Sequence, residues 1–137
     1  MTFKTEKIIS LPKILDKRGN LSFFENDKQI PFKIKRTYLI NNVPGGEERG
    51  GHAFKKSQEF IIALSGSFDV VLSDGEKEII YSLNRSYQGL YVPNMLWRRL
   101  ENFSTNSLVL ITSSIAYDDN DYIRDFIDFK TLRNEEK

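Results

Sequence analysis

Residues 49–75 read RGGHAFKKSQEFIIALSGSFDVVLSDG. An apolar run, Glu59 to Leu64, is followed by Ser65-Gly66-Ser67, a second apolar run, Phe68 to Leu72, and then Asp74-Gly75. Two β-type runs joined by a short Gly-centred turn predict a β-hairpin. His52, the only histidine in the chain, stands just upstream, behind two glycines and among charged residues. It is expected where a strand begins, not within an apolar face.

Outward from this hairpin the chain reads as more strands. Lys7 to Leu11 is a short β-type run stopped by Pro12, and Arg18-Gly19 marks a turn. Leu21 to Glu25 mixes aromatic and polar residues as a second strand. Pro31 to Ile40 alternates apolar and polar residues, the pattern of a half-buried strand. Asn41 to Gly51 is a glycine-rich, charged loop, a segment type that often carries functional groups. Beyond the hairpin, Lys77 to Leu83, Gly89 to Pro93, Leu96 to Phe103 and Ser107 to Ser113 are further strands. The last of these is the most apolar and is expected at the centre of a sheet. Many short strands at even spacing predict an all-β sandwich or barrel. The tail, Asp118 to Lys137, places Tyr122, Ile123, Phe126, Ile127 and Phe129 at helical spacing, with acids early and bases late. It predicts one C-terminal helix starting near Asp119.

Composition narrows the function. A chain of 137 residues is read as one domain, residues 1–137, large enough to bury a real core. A net charge of +1 with 28% charged residues makes no electrostatic case for nucleic acid or an acidic membrane surface. No cysteine means no disulfide and no thiolate metal site. A single histidine argues against a tight transition-metal site, so neither metal nor cofactor is expected. No GxSxG supports a serine nucleophile. No stretch has the run of a signal peptide or a membrane span, and a soluble cytoplasmic protein is expected.

ILDKRGNLSFFE, IPFKIKRTYLI, GGEERGGHAFKK, LSGSFDVVLSDG, GLYVPNMLWRRLENFS and YDDNDYIRDFIDFK follow one another across nearly the whole chain. In this order they resemble the WxcM-like family of cupins, the sugar 3,4-ketoisomerases that act on dTDP-4-oxo-6-deoxyglucose. The resemblance implies a jelly-roll β-barrel of cupin type and a homodimer with exchanged N-terminal strands. It also implies a metal-independent transfer of a keto group from carbon 4 to carbon 3, toward 3-amino-3,6-dideoxy sugars of surface glycans. The expected partner is a dTDP-linked 4-keto-6-deoxyhexose.

The family motif is R-G-x-H-A-H-K. Its first histidine falls on His52 and its second on Phe54. Ketoisomerisation needs proton carriers near neutral pKa, which imidazole supplies and phenylalanine does not. Either His52, Tyr38 and water do the work, or the chain is a slow enzyme or a silent dTDP-sugar binding module. A 3,5-epimerisation of the same substrate class is a further alternative.

His52 and Tyr38 are therefore the catalytic candidates. Arg18 and Arg49 are candidate holders of diphosphate oxygens, which suit a guanidinium fork. Arg98 falls where the family carries a pocket residue that helps set product configuration. Glu59 opens an apolar strand, where a buried carboxylate needs a partner. Phe54 and Lys55 complete the substrate-binding set. For each there is a plainer reading: Tyr38 as barrel wall, Arg18, Arg49 and Lys55 as solvated charges, Arg98 as an exposed strand charge. Tyr91 and Trp97 fit core packing as well as base stacking.

Overall fold

The computed structural model describes residues 2–136. Its strands are β1 (Lys7–Ser10), β2 (Lys13–Ile14), β3 (Leu21–Ser22), β4 (Arg36–Asn41), β5 (Arg49–Phe54) and β6 (Glu59–Ser65). They continue with β7 (Phe68–Ser73), β8 (Glu78–Leu83), β9 (Gln88–Val92), β10 (Trp97–Glu101), β11 (Leu108–Ser113) and β12 (Tyr122–Ile123). Among the described residues one α-helix, α1 (Phe126–Glu135), follows the strands. Two five-stranded sheets form, ordered β1-β9-β6-β11-β4 and β12-β5-β10-β7-β8, and β2 pairs with β3 alone. Every pairing is antiparallel.

The two runs of the expected hairpin are strands β6 and β7, but they do not pair. β6 lies between β9 and β11 in one sheet and β7 between β10 and β8 in the other, so the turn between them is a crossover between sheets and not a hairpin turn. Gly66 allows the turn: its φ is +69°, and a Cβ there would crowd Ser104 and Ser107. Ile61 and Ala63 of β6 face Val70 and Leu72 of β7, Leu90 of β9, Leu100 of β10 and Ile111 of β11 in one buried cluster. That cluster, drawn from both sheets, is the interior of the barrel. Phe60 and Ile62 point the other way, under a cover of Leu11, Ile30 and Phe32, with Tyr91 beside them. Burial on both faces is why β6 reads as an unbroken apolar run rather than an alternating one.

That cover explains one departure from the expected strands. Pro31 to Lys35 does not extend β4, because Phe32 leaves the sheet to close the outer face of β6 and β9. Similarly, β3 stops at Ser22, and Phe24 packs edge-on against Phe60 at 5.3 Å. β11 is an interior strand, but the middle position in its sheet belongs to β6. The expected loop 41–51 ends early, since β5 already begins at Arg49. His52 is therefore inside a strand and not at its start.

The C-terminal helix also begins later than its spacing predicts. Asp119–Asp121 is a single 3-10 turn, and β12 follows it, pairing Tyr122 with Phe54 and Ile123 with Ala53. The helix starts at Phe126 because Asp125 caps it, accepting from the Ile127 and Asp128 N–H groups. Trp97 and Tyr91 are packing residues. Trp97 meets Phe126 at 5.2 Å and Phe129 at 5.8 Å, and Tyr91 is 7% exposed in the outer cluster. No helix among the described residues is long and apolar enough to cross a membrane.

Candidate active site

Between the edges of the two sheets lies a cavity of about 420 Å³ whose walls include Arg36, Tyr38, Arg49, His52, Arg98, Tyr122 and Arg124. Period-2 geometry supplies its walls. On β4 the alternation that exposes Thr37 and Leu39 turns Arg36, Tyr38 and Ile40 inward together. On β5 and β10, His52 and Arg98 stand opposite one another in register.

Arg98 and Glu59 are each 1% exposed and form an ion pair, Arg98 Nε to Glu59 Oε1 at 2.7 Å. Arg98 also donates through Nη2 to the Tyr38 hydroxyl at 2.8 Å and to Glu59 Oε2 at 3.2 Å. Its Nη1 donates to the Gly50 carbonyl at 3.2 Å. The Tyr38 hydroxyl donates in turn to Glu59 Oε2. This network meets the condition for a buried charge: it is paired and its donors are used. Burial, with Glu59 beside it, pushes the Tyr38 phenol well above its ordinary pKa.

His52 differs from its neighbours. Its Nε2 is buried and has no hydrogen-bond partner. Its ring is held edge-on by Phe54 at 4.8 Å and by Tyr122 at 4.9 Å. Burial, then the nearby charges of Arg98, Arg124 and Arg36, lower its pKa to about 2. The imidazole is thus neutral at physiological pH, and its Nε2 is left unbonded. Arg36 donates to the Tyr122 hydroxyl at 2.9 Å and lies over the Tyr38 ring at 4.3 Å, and Arg124 lies over Tyr122 at 4.1 Å. The result is a cationic mouth around a neutral base.

The fold gathers Tyr38, Arg49, His52, Phe54, Glu59 and Arg98 at this site. Phe54 is 6% exposed and forms a wall behind His52. Arg98 is no exposed strand charge; it is the most deeply paired cation in the site. The fold leaves two expected residues out. The Arg18 side chain is 88% exposed on the β2–β3 turn, paired with Asp16. Lys55 is exposed beside a second depression, which shares Tyr122 and Arg124 with this cavity and is completed by Asp128, Thr131 and Leu132. Its position after the last residue of β5 turns it to the outside of the barrel. Sequence reasoning missed Arg36, Tyr122 and Arg124. Arg36 was readable from its two-residue offset to Tyr38. Tyr122 had no local signal, because β12 is two residues long and its place depends on pairing with β5. Among the described residues no three His, Cys, Asp or Glu side chains gather as metal ligands do.

The protein-family model described as FdtA, WxcM-like, C-terminal matches residues 4–134. The chain belongs to this family. It is 40% identical over 124 residues to the TDP-4-oxo-6-deoxy-α-D-glucose-3,4-oxoisomerase of Aneurinibacillus thermoaerophilus, covering 90% of this chain and 89% of that one. Among solved structures, the WlaRB TDP-quinovose 3,4-ketoisomerase of Campylobacter jejuni superposes with a TM-score of 0.89 at 40% identity, covering 94% of this chain and 99% of that one. A mutant of the 3,4-ketoisomerase QdtA of Thermoanaerobacterium thermosaccharolyticum, with asparagine in place of a histidine and TDP-4-keto-6-deoxyglucose bound, gives a TM-score of 0.94 at 32% identity. There the match covers 98% of this chain and 97% of that one. The cupin-type barrel of this WxcM-like protein is thus the barrel of its relatives.

Proposed function

We propose that this chain isomerises dTDP-4-oxo-6-deoxyglucose, moving its keto group from carbon 4 to carbon 3 through an enediol. The observation that carries this reading is the free Nε2 of a neutral His52 in an arginine-lined cavity. The neutral imidazole is the form that accepts a proton, and an anionic substrate in the cavity would offset the arginine charges that depress its basicity. The proton next to a ketone is the kind it removes. His52 takes the C3 proton and returns one to C4, while Tyr38 serves the sugar's oxygens. Arg36, Arg49 and Arg124 at the mouth match the charge of a diphosphate, and their guanidinium groups suit its oxygens. Family membership and the activities named for the relatives support the same substrate class.

The assembly that goes with this reading is a homodimer with exchanged N-terminal strands. The β2–β3 ribbon supports it. Two strands alone are marginally stable in water, and Ile14, Leu15 and Leu21 on this ribbon are 56%, 73% and 55% exposed. In an exchanged dimer Arg18 serves the cavity of the other copy, which accounts for its distance from its own. Light scattering at micromolar concentration tests the dimer, and a monomer overturns it.

The activity is tested by mixing the purified protein with dTDP-4-oxo-6-deoxyglucose and following the ring protons by NMR. Exchange at carbon 3 together with a new keto sugar is expected. Phe54, in place of a second imidazole, favours one rival: a silent binding module of the same fold, which would bind the nucleotide sugar without exchange.

A further inference from the structure

Glu59 is a buried carboxylate that the reading above leaves without chemistry. Its Oε1 accepts from Arg98 Nε, and its Oε2 accepts from Arg98 Nη2 and from the Tyr38 hydroxyl. The single Tyr38 proton therefore points at Glu59 and not into the cavity. One lone pair of the Tyr38 oxygen is taken by Arg98 Nη2 at 2.8 Å. A hydroxyl oxygen has two such lone pairs, so one remains for a ligand. What Tyr38 offers a sugar is thus an acceptor backed by a carboxylate, a partner for a sugar hydroxyl and not for a keto oxygen. Burial also keeps the phenol in its neutral form. A tyrosine that keeps its proton takes up a second one only by passing its own on, and the acceptor bonded to it is Glu59.

We propose that Tyr38 and Glu59 form a relay for the oxygen protons of the reaction, leaving the carbon protons to His52. The proposal rests on the isomerase reading above. His52 takes the C3 proton; that C–H electron pair forms C3=C4, and the C4 carbonyl pair moves onto O4, so the enediol is held as its O4 anion. The O3 hydroxyl then gives its proton to Tyr38 as Tyr38 passes its own to Glu59. The O3–H electron pair closes the C3 carbonyl, and the C3=C4 pair takes a proton back from His52 at C4. The relay then runs backwards: Glu59 returns its proton to Tyr38, and Tyr38 protonates O4. Every group ends as it began, and no oxidant or reductant is consumed. Glu59 never touches the sugar. It is a positioning and proton-holding residue that acts through Tyr38.

Glu59 also pairs with Arg98 across the two sheets, so loss of rate alone would not separate relay from scaffold. The partition between two NMR readouts in D2O does. The probe is dTDP-4-oxo-6-deoxyglucose, and the readouts are exchange of the C3 proton and appearance of the 3-keto sugar. Glu59→Gln and Tyr38→Phe are expected to keep C3 exchange within about threefold while keto transfer falls roughly 100-fold. His52→Asn is expected to lose both. Binding of dTDP by calorimetry is expected to stay unchanged in all three. Exchange and transfer falling together in Tyr38→Phe overturn the relay, as does keto transfer surviving within about threefold. If Glu59→Gln fails to fold, Tyr38→Phe decides alone, because it leaves the Arg98–Glu59 pair in place. If the unaltered protein shows neither exchange nor transfer, the isomerase reading fails and the relay falls with it.

Discussion

Arg98 Nε lies 2.7 Å from Glu59 Oε1, and this pair ties β10 of one sheet to β6 of the other through side chains 2% and 1% exposed. Two charges in such a place stabilise each other more than they stabilise the fold. Arg98→Met is expected to destabilise the protein by about 3–5 kcal/mol, because it leaves Glu59 buried without its partner. The double replacement Arg98→Met with Glu59→Leu is expected to recover most of that loss while abolishing turnover. Urea unfolding of the two variants checks this. A double variant as unstable as the single one would show that packing around Arg98, and not the lone carboxylate, is what costs stability.

His52 also makes the fold sensitive to acid. Its folded pKa lies far below its ordinary value, near 2, and burial is the main cause. The unfolded chain binds a proton at His52 below about pH 6.5 while the folded chain does not. Its contribution to stability is therefore present above pH 6.5 and is lost as pH falls toward the folded value. Between pH 7 and pH 5 this amounts to about 2 kcal/mol. Unfolding free energies of the unaltered protein and His52→Asn, compared at both pH values, are expected to diverge by that amount. Parallel curves would mean that water reaches His52 and relieves its burial.

Gly50 is held by its neighbour and not only by its turn. Its φ is +73°, and a Cβ on it would overlap Arg98 Nη1, which donates to its carbonyl at 3.2 Å. Gly51, one residue on, meets only Trp97 at 3.8 Å with an ordinary φ. Gly50→Ala is expected to cost at least about 1 kcal/mol of stability from the backbone alone. It is also expected to displace Arg98 and lower turnover at least tenfold. Gly51→Ala is the control, expected to keep turnover within about threefold. Equal behaviour of the two variants in thermal melts and in turnover would remove the role given to the Gly50–Arg98 contact.

Why some of this was legible in the sequence and some was not follows from the range of the interactions. The existence of strands β6 and β7, the turn between them and the alternation at Tyr38 are local, since a period and a turn residue suffice to place them. The partners of β6 and β7, by contrast, are set by the two sheets and are not each other. The same alternation carried Arg36, two residues before Tyr38 on β4. Local patterns also mislead when tertiary contacts override them. Tyr122, Ile123, Phe126 and Phe129 mimic one helical stripe, yet Tyr122 and Ile123 are claimed by β5 and only the others by α1. Phe32 continues an alternating run but serves the outer cluster. Arg18 and Lys55 are charges in turns, and no periodicity says which cavity, if any, such a charge will face.

Phe54 brings the sequence departure and the structure together. Its ring lies 4.8 Å from His52 and 4.7 Å from Tyr122, 6% exposed. If His52 carries the carbon protons and Tyr38 with Glu59 the oxygen protons, no proton step is left for an imidazole at this position. Phe54→His is then expected to change kcat less than about threefold. It is also expected to lower stability by about 1–3 kcal/mol, the usual cost of burying a polar group without a designed partner. Affinity for dTDP is expected to stay unchanged, since the proposed function assigns the nucleotide to the arginines at the mouth and not to this wall. Steady-state turnover on the 4-keto sugar, calorimetry with dTDP and a urea titration measure the three quantities. A rise in kcat of tenfold or more at constant dTDP affinity would identify a missing transition-state group. The unaltered chain would then be the slow form of the enzyme, and the second imidazole would be doing work that Tyr38 and Glu59 do not replace.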